Sequence, residues 1–205
     1  NHVHDIGRGT LSDMGGIYTL GVQPGTRIRF NVFHDIESRG YGGWGIYLDE
    51  GSTDILVEKN LTYRTKSAGF HQHYGRDNVI QNNIFALARE GHIHRTRAEQ
   101  HCSFIMRRNI FYSPTEKVHI GRFEDDRVLI DDNLYFNPDG GLKFVGGTLT
   151  EYCRQTGNDV NSLVLDPRFR APEKADFTFK RGSPHERIGF EPFDLSGVGP
   201  RPRGE

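Results

Sequence analysis

Cysteine is scarce: Cys102 and Cys153 are the only two in 205 residues. Two thiols cannot build a disulfide framework, and the sequence leaves their pairing open. An excess of one charge is also missing. Lys plus Arg total 26 and Asp plus Glu 27, a formal net charge of −1. That excludes a dominant basic field, and with it a general binder of nucleic acid or anionic membranes. No apolar run approaches the ~20 residues of a membrane-spanning helix. Asn1 to Thr10 is polar and lacks a basic-then-apolar leader pattern. Hydrophobic residues make up only 35%. Disorder does not follow, because Phe, Tyr and Trp reach 14, 8 and 1. With 25 glycines, the composition describes many turns around a thin core.

A repeat accounts for both features. Asparagine recurs at positions 1, 31, 60, 83, 109 and 133, followed by an apolar residue at Val32, Leu61, Ile84, Ile110 and Leu134. Three residues before each later asparagine stands Ile28, Val57, Ile80, Met106 or Ile130. A second repeat runs between the asparagines: Gly16-Ile-Tyr-Thr-Leu-Gly, Gly45-Ile-Tyr-Leu-Asp-Glu-Gly, Gly69-Phe-His-Gln-His-Tyr-Gly and Gly91-His-Ile-His-Arg. These are short alternating strands between glycine turns. Such strands at a period of twenty-odd residues describe a parallel β-solenoid. One coil cannot bury its apolar face, but stacked coils can. Asparagines stacked at one corner bond along the axis, as in other Asn ladders.

The Asn-[Val/Leu/Ile]-aromatic repeats resemble right-handed parallel β-helix proteins of the pectin-lyase-like superfamily. The motifs Ser12-Asp-Met-Gly-Gly-Ile-Tyr-Thr-Leu-Gly21, Gly45-Ile-Tyr-Leu-Asp-Glu-Gly51 and His71-Gln-His-Tyr-Gly75 resemble β-helical glycoside hydrolases. The nearest type is family 141, which includes α-fucosidases and xylanases. The resemblance implies an all-β, right-handed parallel β-helix over residues 1–162. Residues 138–162 read as a long loop with at most one more coil. Residues 163–195, with Asp166-Pro167 and Ser183-Pro184, read as a loop-rich tail capping or flanking the open end. Residues 196–205 read as disordered. The chain opens inside its own repeat, so preceding coils and a signal peptide are expected, and a secreted or periplasmic location with them.

Alternation sorts the faces. Ile17, Ile46, Phe70, Ile93 and Val118 are expected inward. Tyr18, Tyr47 with Asp49, His71 with His73, His92 with His94, and His119 are then expected on one exposed strip. The stretches Gly7–Gly15 and Glu37–Trp44 lengthen the first two coils and should overhang that strip. Tyr41 and Trp44 lie in the second. Trp44 either stacks on a sugar or packs against the solenoid.

Glycoside hydrolysis needs two carboxyl groups across the scissile bond. Asp13 and Asp49 occupy neighbouring coils, ~4.8 Å apart, and lie in the motifs that carry the resemblance. They are the candidate pair, with Glu50 in reserve and Glu90 a weaker acid at the edge. Tyr18, Tyr41, Trp44, Tyr47, His71, His73, Tyr74, His94 and Arg95 are the candidate substrate-binding set. His4/Asp5 and His34/Asp35 read as structural pairs. The expected partner is a carbohydrate, with no cofactor and no metal, because neither His-x-His pair has a third ligand locked to it. A polysaccharide lyase, with a His or Tyr base, and a non-catalytic glycan-binding module are the competing readings. The sequence is silent on oligomeric state.

Overall fold

The computed structural model describes residues 1–125 and 127–200. Among these, three parallel sheets of seven, five and five strands wrap one core. The first holds His2–Ile6, Val32–Ile36, Leu61–Thr65, Ile84–Ala86, Ile110–Tyr112, Leu134–Phe136 and Leu163–Val164. The second holds Gly15–Thr19, Trp44–Leu48, Phe70–Gln72, Ile93–Arg95 and His119–Gly121. The third holds Val22–Arg29, Thr53–Glu58, Asn78–Gln81, Phe104–Arg107 and Leu129–Asp131. Each strand pairs with its counterpart one coil on, so the chain is a parallel β-solenoid of about six turns.

Like residues stack on like. Ile28, Val57, Ile80, Met106 and Ile130 align in register along the third sheet and are all buried. From the first sheet, Phe85, Phe111 and Tyr135 form a ring stack spaced 5.3 and 5.1 Å. This is a core one coil wide, which explains the low apolar share. Gly45 marks where the second sheet crowds that stack. A Cβ there would lie 1.9 Å from Thr62 Cγ2.

The asparagines form the expected ladder. Each Nδ2 donates to the next Oδ1, at 2.9 Å from Asn1 to Asn31, then 2.8, 2.9, 3.0 and 3.1 Å up to Asn133. The next Oδ1 also accepts from the backbone N–H of the asparagine below, at 3.0 Å from Asn60 to Asn83. The residue before each later asparagine is left-handed: Phe30, Lys59, Asn82, Arg108 and Asp132, with φ of 52–55°. Such a backbone costs a non-glycine residue about 1–2 kcal/mol. Asn83 offsets it by donating back to Gln81 O at 2.9 Å.

The helix Leu149–Thr156 follows the last coils. Its Tyr152 joins Phe144 in the main core and meets His119 at 4.6 Å between ring centroids. Thr148 and Glu151 form a capping box and Gly157 ends the helix. That signature was present in the sequence and escaped its reading. The tail flanks the first sheet. Its antiparallel hairpin, Phe169–Ala171 with Asp176–Phe179, packs Phe169 and Phe177 among the outward Leu61, Tyr63, Ile84 and Ile110 of the first sheet. Glu191 reaches back to Asn82, with bonds of 2.6 and 2.7 Å. Of the tail expected to be disordered, residues 196–200 are described and 201–205 lie outside the described residues. Cys102 and Cys153 are both free.

Two histidines expected on the strip are interior. The register pairs Ile93 with His119 and His94 with Ile120, one residue later than the alignment on Val118. His119 therefore points inward and stacks on Phe123 at 4.4 Å. His92 occupies the corner position that Gly45 and Gly69 fill in earlier coils; its Nε2 donates to Thr115 O at 3.2 Å and its ring packs near Phe111. Burial lowers their pKa values, to about 4 for His92 and about 3 for His119. The sign follows by linkage. Unfolded, both take protons near pH 6.5; folded, they resist until about 4 and 3. Stability is full above pH 6.5 and is lost as pH falls towards those values, by roughly 3–5 kcal/mol each. Asp159, buried beside Tyr135 and Ser162 and pushed up to about 6, acts oppositely but singly. Melting temperature should fall between pH 6.5 and 4. His119→Phe should flatten that fall; an unchanged profile would contradict the assignment.

Candidate active site

The two long stretches fold against each other as a wall. Asp13 N donates to Tyr41 O at 2.6 Å, Arg39 N to Leu11 O at 2.7 Å and Gly43 N to Met14 O at 2.9 Å. Asp13 is left-handed, with φ 52°, a conformation aspartate tolerates. Gly42, at φ +107°, passes so close that a Cβ would sit 2.8 Å from Asp13 N. Lys66, from the short third coil, braces the wall from below through Ser38 Oγ at 3.1 Å and the Gly40 carbonyl. It also meets Glu90 at 3.6 Å, which ties up the weaker acid candidate.

Behind the wall runs a ladder of rings. Tyr18, Tyr47, His71 and His94 stand in register on successive coils. Their centroids are 4.8, 4.6 and 4.2 Å apart, the last two pairs stacked. Trp44 lies on Tyr47 and His71 at 4.5 and 4.1 Å. Its indole N–H donates to His94 Nδ1 at 2.9 Å, so His94 carries any proton of its neutral ring on Nε2. Burial lowers the pKa of His94 to about 4 and holds His71 well below 6.5. Both are neutral polar groups near pH 7. His71 Nε2 contacts Thr96 Oγ1 at 2.8 Å, and Thr96 also hydrogen-bonds Tyr41. Thr96 was not anticipated, although alternation from His94 reaches it.

The carboxylates meet at the Tyr18–Tyr47 pair. The Tyr47 hydroxyl donates to Asp13 Oδ1 at 3.2 Å. Burial, with the charges of Asp49 and Asp13, raises the Tyr47 pKa. Asp13 is exposed, and its carboxylate meets Tyr47 and not its own backbone. Asp49 is only 5% exposed. Its Oδ2 accepts the Tyr18 hydroxyl, and its Oδ1 faces His73 Nδ1 at 3.1 Å. That bond, with burial and the Asp49, Asp13 and Glu50 charges, raises the Tyr18 pKa. Glu50 is exposed at the following turn.

Other expected residues fall elsewhere. Trp44 is wholly buried, so its stacking surface is spent on the ladder. The exposed rings are Tyr18 at 44% and Tyr41 at 49%, with Tyr41 edge-on to Trp44 at 4.8 Å. Arg95 is also wholly buried. Alternation that turns His94 outward sends Arg95 inward, in register with Leu48 and Gln72, where it pairs with Asp125 at 2.9 Å. Tyr74 is half-buried, with the Arg97 guanidinium 4.7 Å from its ring centroid. His4/Asp5 and His34/Asp35 sit on the first sheet, at 2.6 and 2.5 Å, and Arg64 grips Asp35 in a fork. Among the described residues, no group of three or more His, Cys, Asp or Glu is placed to hold a metal.

A family model described as the right handed beta helix region matches residues 1–160. The chain belongs to the right-handed β-helix family. No curated protein and no solved structure matches it. Within this β-helix the wall, ring ladder and carboxylates occupy the face of the second sheet over the first four coils. The fold is compatible with a glycan-active enzyme or a glycan-binding module.

Proposed function

We propose that this β-helix is a glycoside hydrolase, secreted or periplasmic, acting on a neutral or weakly charged polysaccharide or oligosaccharide. It is closest in type to the family 141 fucosidases and xylanases, on the motifs around Asp13 and Asp49. One observation carries the reading: Asp13 and Asp49 accept from the hydroxyls of Tyr47 and Tyr18, which stand in register on adjacent coils with ring centroids 4.8 Å apart. Glycosidases need such a carboxyl pair at the scissile bond. Exposed Asp13 is the carboxyl placed to reach a leaving oxygen. Asp49 is buried beneath the Tyr18 hydroxyl. His71 and His94, buried and kept neutral, support the ring ladder without adding charge. Tyr41 offers a ring for the apolar face of a sugar. Tyr41→Ala should raise KM about tenfold, with kcat within about twofold, in line with ~0.5–1.5 kcal/mol for a ring contact.

The Asp49–His73 contact favours a second reading. A histidine with a carboxylate beside its Nδ1 resembles the general base that a polysaccharide lyase requires. Digestion of a panel of neutral and uronate-containing polysaccharides separates the readings. New reducing ends without ultraviolet-absorbing product support hydrolysis. An unsaturated, absorbing product supports the lyase. Retention of a glycan with no product over a long incubation leaves a binding module.

A further inference from the structure

Asp49 has no oxygen to offer a sugar. Its Oδ1 is buried against solvent and faces His73, and its Oδ2 lies under the Tyr18 hydroxyl. The residue that covers it is Tyr18, 44% exposed where Asp49 is 5% exposed. The Tyr18 ring is braced edge-on by Tyr47 at 4.8 Å. Asp13 accepts from the Tyr47 hydroxyl at 3.2 Å, on the ring beside Tyr18. An exposed carboxyl, an exposed phenol and a buried base are therefore neighbours: Asp13, Tyr18 and Asp49. A hydroxyl nucleophile activated by an adjacent base is an established device, and tyrosine serves as nucleophile in some glycosidases.

We propose that Tyr18 is the nucleophile and Asp49 its base, a refinement that rests on the hydrolase reading. Tyr18 Oη attacks the anomeric carbon while the bond from that carbon to the leaving oxygen breaks. Protonated Asp13 gives its proton to the leaving oxygen. The Tyr18 proton passes to Asp49. The product of this step is a tyrosyl glycoside with Asp13 ionised and Asp49 protonated. Water then attacks the same carbon, Asp13 takes the water's proton, and Tyr18 leaves with the proton returned by Asp49. Two displacements retain the anomeric configuration. His73 acts as a positioning residue that holds the second oxygen of Asp49.

The test uses the whole chain. A panel of 4-nitrophenyl glycosides identifies a sugar that the wild type releases. The matching 2-deoxy-2-fluoroglycosyl fluoride is then incubated with wild type, and the labelled peptide is located by mass spectrometry. The expected label is on Tyr18, with retention by NMR. Tyr18→Phe should lose at least 10³-fold in kcat. The trapping is done on wild type, so it stands even if Tyr18→Phe misfolds. Label on Asp49 or Asp13, inversion, or a folded Tyr18→Phe with more than a tenth of wild-type rate overturns the nucleophile while leaving hydrolysis intact. A wild type that releases no sugar from any glycoside overturns both.

Discussion

Asp49→Asn is expected to lower kcat by about 10⁴-fold while leaving the protein folded. Asparagine has nearly the same shape, and its Oδ1 can still accept the Tyr18 hydroxyl that Asp49 Oδ2 accepts now. What disappears is the capacity to take a proton. Loss of a positioned base costs about 10²–10⁴-fold, and removal of one member of a nucleophile–base unit costs at the upper end of that range or beyond. Stability should change by less than about 1 kcal/mol, because the substitution removes a buried charge but keeps its volume. Asp49→Ala would not make the same point, since it strands the Tyr18 hydroxyl and His73 together. Asp13→Asn should differ in kind. An acid matters most for a poor leaving group, so an alkyl glycoside should lose about 10³-fold and a 4-nitrophenyl glycoside much less. Equal losses on both substrates would remove Asp13 from the acid role. Steady-state kinetics on the two substrate types, beside a thermal melt, read all of this.

The largest stability effect is expected at the middle of the ladder. Asn83 is wholly buried. It donates to Val57 O, Gln81 O and Asn109 Oδ1, at 3.0, 2.9 and 3.0 Å. It also accepts from the backbone and side chain of Asn60, at 3.0 and 2.9 Å. Asn83→Ala leaves several of those groups unpaired inside the protein, at about 1–3 kcal/mol for each group that water cannot reach. The left-handed Asn82 also loses the bond that closes its corner. A loss of about 3–5 kcal/mol is expected from urea denaturation. In a solenoid each coil leans only on its neighbours, so the transition should also broaden or split. A cost under about 1 kcal/mol would mean the ladder is decoration.

The two effects differ in how visible they were in sequence. The ladder and its apolar companions were legible, because stacking repeats the same residue at the same corner and Asn83 has no local reason to recur. The wall was legible too, because Gly7–Gly15 and Glu37–Trp44 are length differences between otherwise equal coils. The carboxylate pair followed from that, but its depths did not. Sequence alternation places Asp49 outward and cannot say that Tyr18 and His73 close over it. Trp44 is outside its strand's clean alternation and turned out to support the ladder. His119 was misplaced because the loop before it shifts the register by one residue, and in a period-two strand one residue reverses every side chain. Arg95 failed for a plainer reason: its position next to His94 already required it to face inward. The course of the tail depends on contacts more than a hundred residues apart in sequence, such as Asn82 with Glu191, and no local pattern encodes that.

The central claim is that the cluster around Tyr47 cleaves a glycan. The most direct test is the release of reducing ends over time from one responsive polysaccharide, by wild type and by Asp49→Asn of equal melting temperature. The expected result is steady release by wild type and a rate about 10⁴-fold lower, near the blank, for the variant. Equal rates from the two proteins would contradict the account.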